Sequence, residues 1–242
     1  MHRLVTLFLF IMASVFIVGC STGAATETPL DPHTLLTQSV ANLRPKQTFR
    51  LIVEATGADY LFSTDLGEVI FRRAEGQYVA PDTIGAKVKV VLGNLPVEAD
   101  VYAKGENQSV RGVWTSMKWE AGVFAPGFDP GKILGEETSG LDQAMNALVD
   151  PKLVGEETLD DGSAVYHISA TANGADVAAM VVNLIQMTGT VNVDVYLAKD
   201  SGLPVRFVIV QPDSATADQT EPTKWTIDLY DFDAQSEVEI PA

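Results

Sequence analysis

The residue best suited to covalent chemistry is Cys20, the only cysteine among the 242 residues. A thiolate is a good nucleophile, and a cysteine can also carry a covalent lipid. The residues before it, 4–18, are almost wholly apolar, and Arg3 is the only charged residue ahead of them. This run is shorter than the roughly 20 residues that span a bilayer as a helix. It is typical of the apolar core of a secretory signal.

The four residues Ile17-Val18-Gly19-Cys20 resemble the lipobox of bacterial lipoproteins, in which the cysteine receives a diacylglyceryl group and becomes the first mature residue. The resemblance implies a signal peptide over residues 1–19 and an acylated Cys20. The residues that follow are small and polar, which predicts a flexible tether over residues 20–30. Two or three acyl chains, at about 0.8 kcal/mol per buried CH2, give stable anchoring where one chain does not. We therefore expect an exported protein, lipid-anchored on the extracytoplasmic face of the cell membrane. The alternative is a signal peptide that ends in a cysteine without lipidation.

Other groupings of residues for catalysis are missing from the sequence. A hydrolase needs a nucleophile beside a base, but no Gly-x-Ser-x-Gly elbow occurs. His2 belongs to the signal, His33 to a first helical turn and His167 to a strand, where we interpret it as a sheet-face residue and not as a general base. Asp160-Asp161-Gly162 is a turn without the other ligands of a calcium loop. We expect no metal, no cofactor and no catalysis, and keep an enzyme as the third alternative.

Charge limits the partners that the chain can bind. It has 16 basic and 32 acidic residues, for a formal net charge of −16. The acidic side chains are scattered, as on a solvated surface. This balance argues against nucleic acid and against broad adhesion to anionic headgroups. Because an exported chain with one cysteine forms no internal disulfide, its stability must come from core packing.

Helices are expected at four places along the chain. Asp31-Pro32 starts the first, because Asp caps free amides and Pro suits the first helical position. Apolar residues at helical spacing then continue to Leu43. A short helix is expected near residues 131–134, and another over residues 141–149, ended by Asp150-Pro151.

A later helix is expected over residues 175–187, and it is too apolar for a surface position. Its apolar face carries Val177, Met180, Val181, Leu184 and Ile185. Such a face either packs into a core filled by side chains or lines a cavity. Periodicity does not distinguish between the two.

The remaining pattern predicts strands, since apolar and polar residues alternate. In the first strand Phe49, Leu51 and Val53 face one way, and Arg50 faces the other. Strands are expected from residue 47 and over residues 68–73, 85–92, 97–104, 108–114, 152–158, 164–172, 190–199, 203–211, 224–232 and 237–240. Turns are expected between them, the first at Ala74-Glu75-Gly76. Strands with one apolar face form an antiparallel sheet that helices must cover, so the fold class is α+β.

Aromatic residues gather around a central Gly/Pro-containing loop, residues 121–128. They are Trp114, Trp119, Phe124 and Phe128. The cluster is either packed against the core or forms the mouth of a pocket.

Segments toward the end of the chain resemble the LppX/LprA/LprF/LprG family of actinobacterial lipoproteins. They are Leu153-Val154-Gly155-Glu156-Glu157-Thr158, Val165-Tyr166-His167-Ile168-Ser169, Val193-Asp194-Val195-Tyr196-Leu197, Leu203-Pro204-Val205-Arg206, Tyr230-Asp231-Phe232 and Val238-Glu239-Ile240-Pro241. The resemblance implies a strongly curved antiparallel sheet, a half-barrel with helices over its concave face, similar to the LolA/LolB carriers. It also implies that acyl chains occupy the space between sheet and helices.

The resulting hypothesis is a single lipid-binding domain over residues 31–242 that carries or presents lipids or glycolipids across the envelope. The expected cavity residues are Val177, Met180, Val181, Leu184, Ile185, Trp114 and Phe124. We expect a monomer, with an envelope transporter as the kind of protein partner. The alternative is a structural or sensory module with a filled core that binds a protein through an exposed apolar patch. A void of several hundred Å3 would discriminate between the two.

Overall fold

The computed structural model describes residues 30–64, 67–134, 140–177, 180, 185 and 187–241. Within these residues, twelve strands pair into one antiparallel sheet. In chain order they are β1 (Thr48–Thr56), β2 (Leu61–Thr64), β3 (Gly67–Val79), β4 (Thr83–Leu92), β5 (Leu95–Lys104), β6 (Asn107–Arg111), β7 (Glu120–Ala121), β8 (Val149–Thr158), β9 (Ala164–Asn173), β10 (Thr190–Ala198), β11 (Pro204–Gln211) and β12 (Thr223–Tyr230).

Most neighbours in the sheet are consecutive in the chain, as in meanders of hairpins. The order is β7-β6-β5-β4-β3-β1-β12-β11-β10-β9-β8, and β2 pairs with the start of β3. β1 and β12 join the two meanders, with Arg50 opposite Tyr230 and Val53 opposite Ile227. The sheet is strongly curved and open, with β7 and β8 at its edges. The predicted fold class is confirmed.

Helix α1 (Pro32–Leu43) begins where the sequence predicts. The Asp31 carboxylate accepts hydrogen bonds from the backbone N–H of Thr34 at 3.0 Å and from its hydroxyl at 2.6 Å. This cap satisfies an amide that the first helical turn leaves without a partner. The side chains that α1 buries are Leu36, Ser39, Val40 and Leu43. The helix therefore packs on the sheet through the predicted apolar stripe.

Two shorter helices, α2 (Leu141–Asn146) and α3 (Gly174–Val177), also pack on the apolar face of the sheet. An ion pair between Arg44 and Asp142 links the end of α1 to α2. The helix expected near residues 131–134 is a single 3-10 turn, Pro130–Lys132. The main core lies between these segments and the sheet.

The turn predicted at Ala74-Glu75-Gly76 is wrong, because these residues lie within β3. Gly76 pairs with Leu51 on one side and with Ala86 on the other. A Cβ at Gly76 would lie 2.5 Å from the Gly85 carbonyl oxygen, so this glycine permits a close approach of two strands. The chain turns instead at residues 80–82.

The helix stop predicted at Asp150-Pro151 is also wrong, because both residues lie in β8. α2 has already ended at Asn146. The pairing of β8 with β9 shifts register between Val149 and Lys152, so Pro151 sits in an irregular stretch of an edge strand. Proline is tolerated there, since its missing N–H breaks no regular ladder.

Other boundaries differ from the predicted ones. β2 was not predicted, β6 ends at Arg111 and not at residue 114, and residues 237–240 are not a strand. Of the late helix predicted over residues 175–187, residues 175–177 lie in α3 and Met180 has a 3-10 conformation. Residues 178–179, 181–184 and 186 lie outside the described residues. Among the helices that the structure describes, none has the length and apolar character needed to cross a membrane.

Candidate functional site

A cavity of about 380 Å3 lies between the apolar face of the sheet and the segments that cover it. The sheet contributes Phe49, Leu51, Val53, Phe62, Val69, Phe71, Ala74, Ile84, Ala86, Val88, Val90, Leu92, Val97, Ala99, Val101, Val110, Glu120, Ala121, Phe207, Trp225, Ile227 and Leu229. The cover contributes Leu43, Trp114, Thr115, Gly122, Val123, Phe124, Ala125, Phe128, Ile133, Leu141, Met180 and Ile185. The void is on the scale of sites for small ligands.

Strand alternation explains why the sheet side of the cavity is apolar. In β4 every second side chain lines the cavity: Ile84, Ala86, Val88, Val90 and Leu92. The residues between them include Lys87 and Lys89, which are exposed and ion-paired with Glu98. Because successive side chains point to opposite faces, one strand forms both an apolar floor and a charged outer surface.

Polar groups are sparse in the described part of the lining. Its only charged side chain belongs to Glu120, which is exposed. The Thr115 hydroxyl accepts a hydrogen bond from the Gly112 N–H at 3.0 Å and donates one to the Gly112 carbonyl at 3.1 Å. It is therefore satisfied locally. Such a lining favours a ligand that is itself mostly apolar, because a buried polar ligand group would lack partners.

The loop that closes one end of the cavity is held by Gln108. This side chain is 9% exposed and its Oε1 accepts the N–H groups of Phe124 and Ala125 at 2.9 and 3.0 Å. Its Nε2 donates to the Ala125 carbonyl at 2.8 Å. Phe128 is thereby packed over a small second core with Ile84. Sequence reasoning missed Gln108, although a polar residue at an inward position of β6, two before Val110, is the available signal.

Four of the predicted cavity residues line the cavity: Met180, Ile185, Trp114 and Phe124. Val177 is fully buried in the main core and is not part of the lining. Val181, Leu184 and Cys20 lie outside the described residues. That any of these residues contacts a lipid stays a prediction. The sheet floor, above all β3, β4 and β5, was not singled out from the sequence.

The aromatic cluster divides into two groups. Trp114 and Phe124 line the cavity, and the rings of Phe124 and Phe128 are 5.6 Å apart. Trp119 instead stacks under the Arg111 guanidinium, 4.6 Å from the ring centroid, and donates from Nε1 to Glu239 at 3.1 Å. Phe128 is packed in the small second core and also lines the cavity, whereas Trp119 belongs to neither, so the four aromatic residues do not form one cluster.

The most exposed residues of the described cavity lining lie at the sheet edge formed by β6 and β7, and we place the opening of the cavity there. Among the lining residues, Trp114 is 38% exposed and Val123 is 56% exposed. Ala121 and Glu120, in the edge strand, are exposed as well. The opening is thus framed by apolar side chains with one carboxylate.

His167 lies on the opposite face of the sheet from the core. Its Nδ1 is 2.7 Å from Glu157 Oε1, its Nε2 is 2.9 Å from Asp194 Oδ1, and its ring stacks on Tyr196 at 4.5 Å. Burial lowers the pKa of His167, but hydrogen bonds with Asp194 and then Glu157 outweigh it and raise the pKa above its usual value. The prediction of a sheet-face residue is confirmed. Within the described ranges no three His, Cys, Asp or Glu side chains are grouped closely enough to hold a metal.

The last described residues cross the outer face of the sheet. Gln77 donates to the Gln235 carbonyl at 3.2 Å and accepts the Glu237 N–H at 2.8 Å, while both Arg111 terminal nitrogens donate to the Glu239 carboxylate. A polar pocket of about 440 Å3 lies beside this segment. Its charged residues are largely ion-paired, so it differs in kind from the apolar cavity.

The model of the LppX_LprAFG lipoprotein family matches residues 31–238. The crystal structure of lipoprotein LppX from Mycobacterium tuberculosis is similar over 86% of this chain and 97% of that chain, with 18% identity and a TM-score of 0.56. LprF from Mycobacterium bovis is similar over 87% of this chain and 97% of that one, with 16% identity and a TM-score of 0.61. At these identities the likeness shows the fold. No curated protein matches the sequence.

Proposed function

Because the chain belongs to the LppX_LprAFG lipoprotein family, we propose that it binds acyl chains of lipids or glycolipids in its apolar cavity and carries or presents them across the cell envelope. The observation that carries this proposal is the cavity itself. It has about 380 Å3 of space, an apolar lining, and an opening at a sheet edge. A module with a filled core, the alternative function, would not leave such a space. Ligand pockets of this kind measure roughly 300–1,000 Å3.

The energetics suit a carrier that must release its cargo. Burying a 16-carbon chain from water yields on the order of 10 kcal/mol, at about 0.8 kcal/mol per CH2. A lipid that leaves a bilayer, however, comes from surroundings that are equally apolar, so the net hydrophobic free energy of transfer is close to zero. Selectivity must then come from the shape of the cavity and from headgroup contacts at its opening.

Binding without catalysis fits the described lining. Its only carboxylate is Glu120 and its only side-chain hydroxyl is Thr115, which is hydrogen-bonded to Gly112. His167 lies outside the cavity, with both ring nitrogens engaged by carboxylates. In the described lining, the hydroxyl that could act as a nucleophile is therefore engaged by the backbone of Gly112, and no base is hydrogen-bonded to it.

The proposed location is the extracytoplasmic face of the cell membrane. Acylated Cys20 would anchor the domain through the tether that the sequence predicts over residues 20–30, of which only Leu30 is among the described residues. A flexible chain of ten residues would have a typical end-to-end distance of roughly 15–20 Å. The cavity opening would stay close to the bilayer. The mature protein should partition into the detergent phase of a Triton X-114 separation, and Cys20→Ser should abolish lipidation. Partition of the wild-type protein into the aqueous phase would contradict the anchor.

Native mass spectrometry tests the cargo directly. Protein prepared without residues 1–20 should show added masses that correspond to lipids and that disappear after delipidation. Tandem fragmentation of the bound species should release acyl chains. A spectrum of the bare protein alone, from cells whose lipids are intact, would count against lipid carriage.

A further inference from the structure

We infer that the sheet edge at β6 and β7 inserts apolar side chains into a lipid bilayer, so that acyl chains enter the cavity without crossing water. We call these side chains the apolar rim: Val113, Trp114, Met117 and Val123. The inference rests on the proposed function, because it specifies how the cavity is loaded. It names a bilayer as the partner of a surface that the fold leaves exposed.

The apolar rim combines high exposure with contact to the cavity. Val113 is 70% exposed, Met117 59% and Val123 56%. Single exposed apolar residues are common and need no explanation. Here, however, Trp114 and Val123 also line the cavity. The exposed surface and the cavity lining are therefore continuous, and whatever covers the rim also covers the opening.

The local backbone holds the rim in this arrangement. Residues Val113–Thr115 form a 3-10 turn, and Ser116 and Met117 follow with φ of 53° and 60°. A non-glycine residue with positive φ is uncommon. The positive φ of Met117 is held by a hydrogen bond from the Met117 N–H to the Gly112 carbonyl at 2.9 Å. A Cβ on Gly112 would lie 2.8 Å from the Trp114 ring, so the ring packs directly over this glycine. The turn thus keeps Trp114 at the cavity and directs Val113 and Met117 outward.

Charge and the tether favour a bilayer as the occupant. The net charge of −16 opposes adsorption to anionic headgroups, so contact must come from insertion of apolar side chains. Tryptophan is enriched at membrane interfaces, and the neighbouring exposed Lys118 can extend its ammonium group to the headgroups. An anchor at Cys20 would leave only residues 21–30 between the membrane and Asp31, which keeps the effective concentration of the bilayer at the domain high.

The first experiment places a reporter on the rim of the mature lipoprotein, reconstituted in phosphatidylcholine vesicles. Because Cys20 is the only cysteine and is acylated in this form, Met117→Cys provides a single thiol for the dye NBD, and the wild-type protein sets the background labelling. We expect a blue-shifted, brighter emission that nitroxide-labelled lipids quench. Val154→Cys is the matched control, because it is 55% exposed in β8 at the other sheet edge and should remain in water. Equal, water-like emission at both positions would overturn the inference. So would a blue shift that persists without vesicles, because the dye would then be covered by a second copy of the chain.

The second experiment separates loading from binding. Val113 and Met117 are not part of the cavity lining. The double variant Val113→Asp/Met117→Asp should therefore bind a soluble fatty-acyl probe as the wild type does. Its uptake of a fluorescent phospholipid from vesicles should be slower by roughly tenfold or more, since charges are disfavoured in the bilayer. Unchanged uptake would contradict the inference. Failure of the wild-type protein to bind the soluble fatty-acyl probe would instead contradict the proposed function.

Salt dependence distinguishes insertion from electrostatic adsorption. With vesicles that contain phosphatidylglycerol, raised ionic strength should increase NBD quenching at position 117, because it screens the repulsion between an acidic protein and an anionic surface. Quenching that falls as salt rises would show adsorption through basic residues and would overturn insertion by the rim.

Discussion

The buried side chain of Gln108 holds the loop that closes one end of the cavity. Its carboxamide makes hydrogen bonds to both N–H and carbonyl groups of the closing loop, at Phe124 and Ala125. Replacing it with leucine keeps much of the volume but leaves these buried groups without partners. An unsatisfied buried group costs about 1–3 kcal/mol. The structure therefore ties loop position to one side chain.

The corresponding prediction is that Gln108→Leu lowers the free energy of unfolding by about 2–3 kcal/mol, measured by urea denaturation. Gln38→Leu is the matched control, because Gln38 is exposed on α1 and its replacement should change stability by less than about 0.5 kcal/mol. Equal effects of the two substitutions would show that the Gln108 hydrogen bonds do not hold the loop.

A second residue-level prediction concerns pH and His167. The pKa of His167 is raised from 6.5 in the folded protein, since its hydrogen bonds to Asp194 and Glu157 outweigh burial. Protonated His167 therefore contributes stability that is fully present below the unfolded pKa of 6.5 and is lost as pH rises through the folded pKa. The stability difference between the wild type and His167→Gln should shrink as pH rises above about 6.5. A difference that is constant or grows with pH would contradict this linkage.

At the scale of elements, β4 separates the cavity from the outer surface by alternation. Val88 lines the cavity, whereas Lys87 faces outward and pairs with Glu98. Val88→Trp should fill part of the void and weaken binding of a fluorescent acyl probe by about tenfold, which corresponds to about 1.4 kcal/mol. Lys87→Trp adds the same ring to the other face and should leave the probe affinity unchanged. Circular dichroism and thermal unfolding of both variants check that the fold persists. Equal probe affinity in the two variants would mean that the cavity is not the binding site.

The elements also show what the sequence could and could not predict. Local chemistry was sufficient for α1, where Asp31 caps the helix, and for the alternating faces of β1 and β4. It failed at Gly76, where a glycine marks a close strand approach and not a turn, and at Pro151, which an irregular edge strand accommodates. Both outcomes depend on partners distant in the chain. The apolar stripe of the predicted late helix indicated that Met180 and Ile185 face the interior. Periodicity does not show where a core is left empty, so the residues of β3, β4 and β5 that line the cavity were not predicted.

At the scale of the whole molecule, the pairing of β1 with β12 makes the two meanders one sheet. We propose that residues 31–242 fold as one domain. Urea unfolding followed by tryptophan fluorescence and by far-ultraviolet circular dichroism should then give one coincident transition. Trp114 and Trp119 follow β6, whereas Trp225 lies in β12, so the tryptophans report on both meanders. Two separate transitions, or two folded halves after limited proteolysis, would contradict a single domain.

Titration of the delipidated protein with a fluorescent fatty-acyl probe tests the central claim, that the cavity binds acyl chains, most directly. We expect saturable binding of one probe per protein, displaced by unlabelled phospholipid and weakened by Val88→Trp. A delipidated protein that keeps its circular dichroism spectrum and still takes up no probe would contradict it.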